Sequence, residues 1–368
     1  MGAVPGALAL KSDWLEARRR MLAWWRHEPM DRPCMGVIVQ QADPGPLPPA
    51  ADLTGMTPED YYFSAKARLA DVERFMASHV WLAESFPNAS LDLGPGSLAL
   101  YLGSAPGYSW DTIWFHPWPP AAEGGLPAYD PHNAIWAKHQ ALLQALRNAA
   151  DGRFMANIPD LVEGLDIVAS LRGNDELLFD LVDNPEWVHA CMDRVTELYF
   201  TYYDRCYDIC KADDGGVSFT AFQVWGPGRT AKLQCDFAAM ISPEMFAEFE
   251  SPYLRRICQR LDYTVYHWDG PTAIPHLDNL IAIPELNAIQ WTPGAGAEDV
   301  WAEEWYPLYQ RALAGGKSLL LMGPFDPARM DATVRACGGP RGLYLSSWGA
   351  HTEADGQELV RYAEKHWK

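Results

Sequence analysis

His267 and Asp269 stand two residues apart in the stretch YTVYHWDG (263–270), whose first six residues read as a strand. On a strand that spacing puts both side chains on one face. An imidazole beside a carboxylate can hold a divalent metal such as Zn2+. It can also act as an acid/base pair in which the carboxylate raises the histidine pKa. A histidine hydrogen-bonded to a neighbouring loop is the plain alternative. Gly270 follows and permits a tight turn or a close approach of substrate.

Other groups fall at the ends of expected strands. Asp160 and Glu163 follow the strand 153–158, and Asp166 comes three residues later. Asp160 reads as a helix cap or a substrate contact. Glu163 and Asp166 read as first-turn carboxylates that complement the helix dipole, with Glu163 also a candidate catalytic group. Cys235-Asp236 form a loop that either closes over the site, offering a third metal ligand, or simply packs. Gln290, Trp291 and Trp348 end two later strands, and Trp225 sits in the Gly-rich VWGPGR (224–229). That turn could also offer amides and Arg229 to an anion. Sixteen tryptophans are many for 368 residues, so Trp225, Trp291 and Trp348 are expected to wall one pocket fit for a flat or sugar-like ligand.

The elements that must position these groups are legible mainly after residue 130. Helices are expected near 131–149, 160–171, 174–183, 185–210, 243–261, 271–282, 299–314, 326–337 and 353–366. Strands are expected at 153–158, 217–222, 263–268, 286–291, 318–323 and 342–347. Before them come a helix at 12–27, a strand at 35–39, a loop at 41–57, a helix near 58–76 and an irregular stretch at 87–130. Short apolar strands alternating with helices imply parallel pairing with crossover helices. No glycine-rich phosphate loop is present, so the expected architecture is a (β/α)8 barrel in one domain spanning 1–368. Residues 1–130 would pack on its regular part, 131–368. The active site would lie at the C-terminal ends of the strands.

Composition excludes several classes. A net charge of −19 works against nucleic-acid and membrane-surface binding. No stretch approaches the ~18 unbroken apolar residues of a membrane span. The N-terminal MGAVPGALAL lacks a basic lead and makes a poor secretion signal. Seven irregularly spaced cysteines fit reduced thiols in the cytoplasm, with Cys206 and Cys210 packing on one helix face. No nucleotide motif, GxSxG elbow, HExxH pair or Walker loop appears.

Three segments carry a resemblance. IPDLVEGLDIVASL and the helices after it (158–199), ISPEMFAEFESPYLRRI (241–257) and YHWDG (266–270) resemble the uroporphyrinogen decarboxylase superfamily, which includes corrinoid-dependent methyltransferases. The resemblance covers residues 150–368 and implies a distorted (β/α)8 barrel. Methyltransferase relatives bind zinc through a His-x-Cys motif and a later cysteine, and activate a thiol. Here His267 matches, Asp269 replaces the first cysteine, and Ser346-Ser347-Trp348 hold no thiol near the last strand. A harder His/Asp site disfavours thiol activation. Decarboxylase relatives carry an N-terminal Arg-rich motif, of which Arg32 in MDRP is the nearest trace. The implied function is methyl transfer, demethylation or decarboxylation of a small organic substrate. A corrinoid protein would be the partner for methyl transfer, and a homodimer is compatible. The alternative is a carbohydrate-active hydrolase or lyase in which Asp269 and a second carboxylate form the acid/base pair. A binding barrel without catalysis is the third.

Overall fold

A computed structural model describes residues 8–349 and 352–368; residues 1–7 of the apolar N-terminal stretch fall outside it. The first strands are β1 (Cys34–Gln40), β2 (His79–Ala83), β3 (Asn88–Ala89), β4 (Ala105–Tyr108), β5 (Ile113–His116) and β6 (Met155–Ala156). They are followed by β7 (Gly216–Phe219), β8 (Val224–Pro227), β9 (Thr230–Gln234) and β10 (Tyr263–Asp269). The last are β11 (Ala288–Thr292), β12 (Ser318–Pro324) and β13 (Leu343–Trp348).

The chain is a mixed α/β protein built on a seven-stranded sheet in the order β2-β1-β13-β12-β11-β10-β9. Every neighbouring pair is parallel except β1/β2. The ladder is open between β2 and β9 among the described residues. In chain order that gap holds the short parallel pair β3/β6 and a single parallel bridge from Asn157 to Ser218. Two antiparallel hairpins, β4/β5 and β7/β8, complete the strands. No helix among the described residues is long and apolar enough to cross a membrane.

Register assigns the two faces of the sheet. Lys232, Val265, Ala288, Ser318 and, one strand-step on, Leu320, Tyr344 and Cys34 follow one another as paired neighbours, so their side chains share a face. On that face Val265, Ala288, Leu320, Tyr344 and Cys34 form an apolar floor with Trp14, Trp24 and Trp25. The helix Trp14–Trp25 seals this end of the strands: Trp24 Nε1 donates to Leu319 O at 3.1 Å, and Trp25 Nε1 to Trp225 O at 2.7 Å. Two and four residues further along, the same face carries Gln234, His267, Asp269, Gln290 and Thr292. The chain is therefore apolar at the strands' N-terminal ends and polar at their C-terminal ends, where ligands of parallel sheets bind. The opposite face packs Trp268, Ile289, Trp291, Leu319, Leu321, Leu343 and Leu345 into the larger, helix-covered core.

Local chemistry explains where elements break. The helix expected over 58–76 is two, Pro58–Phe63 and Ala65–Ser78, because Ser64 leaves helical geometry and caps the second through Ala67 N. The helix expected over 243–261 divides at Glu250 into Pro243–Phe249 and Ser251–Cys258, with Pro252 in the first turn of the second.

Candidate functional site

Three segments converge at the C-terminal ends of β9 and β10. His267 and Asp269 project from β10, Gln290 from the paired position on β11, and Asp236 from the turn after β9. The ligand-type atoms of Asp236, His267 and Asp269 all lie within 4.8 Å of one another. The expected strand spacing thus places His267 and Asp269 together, and the loop carboxylate joins them.

Each member is held by partners of its own. His267 Nδ1 is bonded to Gln290 Oε1. The Gln290 amide is fixed in turn, because its Nε2 donates to Trp291 O at 2.9 Å and to Thr292 Oγ1 at 2.8 Å. The histidine therefore donates through Nδ1, which leaves Nε2 as the nitrogen with a free lone pair. Burial holds the His267 pKa below its ordinary value, although the Gln290 bond opposes this. Asp166 fixes the Asp236 turn, accepting from Asp236 N at 2.9 Å, Phe237 N at 2.8 Å and Gln234 Nε2 at 2.9 Å. Burial, and then the charge of Asp166, push the Asp236 carboxyl up to about 7.

Lys232, on the same face of β9, is a site residue that no motif in the sequence marks. Its side chain is buried, with Nζ 2.8 Å from Asp160 Oδ2 and bonded to Gln234 Oε1. Asp160 is therefore an ion-pair partner and not a helix cap: the helix begins at Gly164, and Glu163 stands at the cap position without a side-chain cap bond. Asp160 N donates to Asp92 Oδ1 at 2.9 Å, which ties the pair to a second, half-buried carboxyl.

Glu163 lies behind the site. It is fully buried and accepts from Gln234 N at 2.8 Å, while Glu250 accepts from Leu165 N at 2.9 Å. Burial, and then the charge of Glu250, push Glu163 well above the carboxylate range; burial takes Glu250 to about 8. Cys235 is buried beside Glu250, so Asp236 and not Cys235 reaches the cluster.

The aromatic wall expected of Trp225, Trp291 and Trp348 does not form. Trp225 is buried against Trp14 and under Arg18, at the sealed end of the sheet. Trp291 is fully buried with Trp268 and Trp305, because alternation along β11 sends it away from Gln290. Trp348 alone stands at the mouth, 55% exposed, in a cavity of about 590 Å3 that it shares with Asp269, Gln290 and Thr292. Arg229 is paired with Asp204 and offers no free anion site.

A nitrogen and two carboxylates from two elements match the three protein ligands of an open catalytic metal site. The donor set suits a divalent cation of intermediate to hard character, and holds no thiolate for a soft one. Without a cation, the charge of Asp269 adds to the rise of the Asp236 pKa.

No family model matches the chain. It is similar to the uroporphyrinogen decarboxylases of Xanthomonas campestris pv. campestris strains B100 and 8004, 26% identical over 164 residues. It is also similar to that of Xanthomonas axonopodis pv. citri strain 306, 25% identical over 166 residues. Each match spans 45% of this chain and 40% of the relative, so less than half of either protein is covered. The relationship to uroporphyrinogen decarboxylases is a distant one.

Proposed function

We propose that the protein is a uroporphyrinogen decarboxylase-like enzyme that removes a carboxyl group from a small organic acid, with Asp236, His267 and Asp269 holding one divalent cation. The observation that carries this reading is the convergence of those three groups at the strands' C-terminal ends. The distant decarboxylase relatives support it. In this reading the short strands β3, β6 and β7 complete a distorted (β/α)8 barrel around the cleft.

A divalent cation, when bound, polarises a substrate oxygen and stabilises negative charge that builds as a carboxyl group departs. The chain's own groups orient the substrate. Lys232, buried and tethered by Asp160 and Gln234, presents N–H donors to a substrate oxygen. Gln290 keeps the His267 ring in one tautomer and one plane. Trp348 shields the mouth beside Asp269. Methyl transfer to a thiol fits less well, since the cluster contains no cysteine. No corrinoid partner is part of this reading.

One observation favours a second reading. With no cation, Asp236 keeps a proton up to about pH 7 beside Asp269, an acid and a base of the kind glycoside chemistry employs. The test is carbon dioxide release from a panel of small carboxylic acids, run beside a panel of aryl glycosides, with and without chelator. Release that chelator abolishes and added metal restores supports the first reading. Glycoside turnover that ignores chelator would replace it with the second.

A further inference from the structure

Two cavities meet at the Asp236–His267–Asp269 cluster. One, of about 510 Å3, has Gln234 and Asp236 in its wall; the other, of about 590 Å3, has Asp269 and Gln290. We infer that the first cavity seats an aromatic ring of the substrate, so that the acid acted on is an aryl carboxylic acid whose reacting end lies over the cluster. This inference rests on the reading of the cluster proposed above.

The first cavity's wall is mostly apolar: Trp114, Phe115, Val162, Ile167, Phe237 and Met240 line it. Trp114 is 65% exposed and Met240 44%, and the two come from separate elements, the β4/β5 hairpin and the turn after β9. Large apolar side chains left open to water at one cavity mouth gain nothing for folding, but gain contact area when a ligand covers them. Indole, phenyl and thioether groups together favour a flat π-face over an alkyl chain. Size agrees as well, since about 150 Å3 already accepts benzene.

The wall is also built before any ligand arrives. Asp166 clamps Asp236 N and Phe237 N. Val162, a β-branched residue, holds a left-handed backbone with φ 58°. Such a conformation costs about 1–3 kcal/mol and persists only when its surroundings over-determine it. Here Gly96 N and Ser97 N donate to Asp160 O, and Leu98 N donates to Leu161 O, all within 3.2 Å. At the cavity floor, Gln234 and Asp236 face the ring's substituents with polar atoms.

The experiment is calorimetric titration of 4-hydroxybenzoate, with hexanoate as the alkyl probe, into wild type, Trp114→Ala and Trp110→Ala. Trp110 is an exposed tryptophan between β4 and β5 that lies outside the cavity lining. Binding of 4-hydroxybenzoate that Trp114→Ala weakens about tenfold or more, and Trp110→Ala leaves alone, supports the inference. No binding to wild type, equal binding to Trp114→Ala, or tighter binding of hexanoate would overturn it. Zn2+ and Mn2+ titrations into the same proteins separate the two claims. Ions retained without aryl binding sink only the ring site, whereas absence of ions from wild type sinks the reading of the cluster itself.

Discussion

Replacing Glu250 by Gln should flatten the dependence of stability on pH. Glu250 is fully buried at the break between two helices, and a Cβ on Gly164 would run into its carboxyl oxygens. Burial holds it protonated up to about pH 8. The unfolded chain releases the same proton near pH ~4.3. Between those values the native state binds the extra proton, so stability is complete in acid and is lost as pH rises. Integrated from pH 5 to pH 8, this one group costs the wild type about 3–4 kcal/mol. Gln keeps the shape and an acceptor for Leu165 N. Urea unfolding of both proteins at pH 5, 6, 7 and 8 reads the difference directly. The variant should gain on the wild type steadily, by about 3 kcal/mol over that range. Curves that run parallel would refute the buried, protonated carboxyl.

Trp291→Ala should lower stability by about 3–5 kcal/mol by chemical denaturation, as a core deletion does, whereas exposed Trp348→Ala should change it by less than about 0.5 kcal/mol. Lys232→Met leaves Asp160 without its buried partner and should cost about 3–5 kcal/mol near neutral pH, read by chemical denaturation. Divalent-ion affinity, measured by titration calorimetry, should fall about tenfold per pH unit below about 7, because the Asp236 carboxyl must lose its proton to act as a ligand. Affinity unchanged between pH 5 and pH 8 would contradict the role of Asp236 as a ligand.

Elements governed by local rules were readable in the sequence. The final helix matches its expected span, Glu353–His366, because Thr352 caps it and apolar residues recur at helical spacing. The pairing of His267 with Asp269 followed from strand periodicity alone. The same periodicity could have separated Gln290 from Trp291, since adjacent residues on a strand face opposite ways. What stayed hidden depends on distant partners. The strand Thr230–Gln234 is short and polar at alternate positions, and it follows the turn residues of VWGPGR, so nothing local marks the Lys232 it carries as part of a site. Asp160 and Glu163 look like the start of a helix until Lys232 and Gln234, about seventy residues away, come to meet them. SLALYLG reads as irregular in isolation, yet Ser97–Tyr101 forms a buried helical turn because the loop at Asp160 and Leu161 accepts its first amides.

The central claim is that Asp236, His267 and Asp269 form one divalent-cation site. Elemental analysis of protein purified without chelator, and of Asp236→Asn, His267→Ala and Asp269→Asn prepared identically, tests it most directly. About one ion per wild-type chain, lost from each variant while melting temperatures of the metal-free proteins stay close, is the expected result. A wild type without stoichiometric metal even after loading, or variants that retain it in full, would contradict the account.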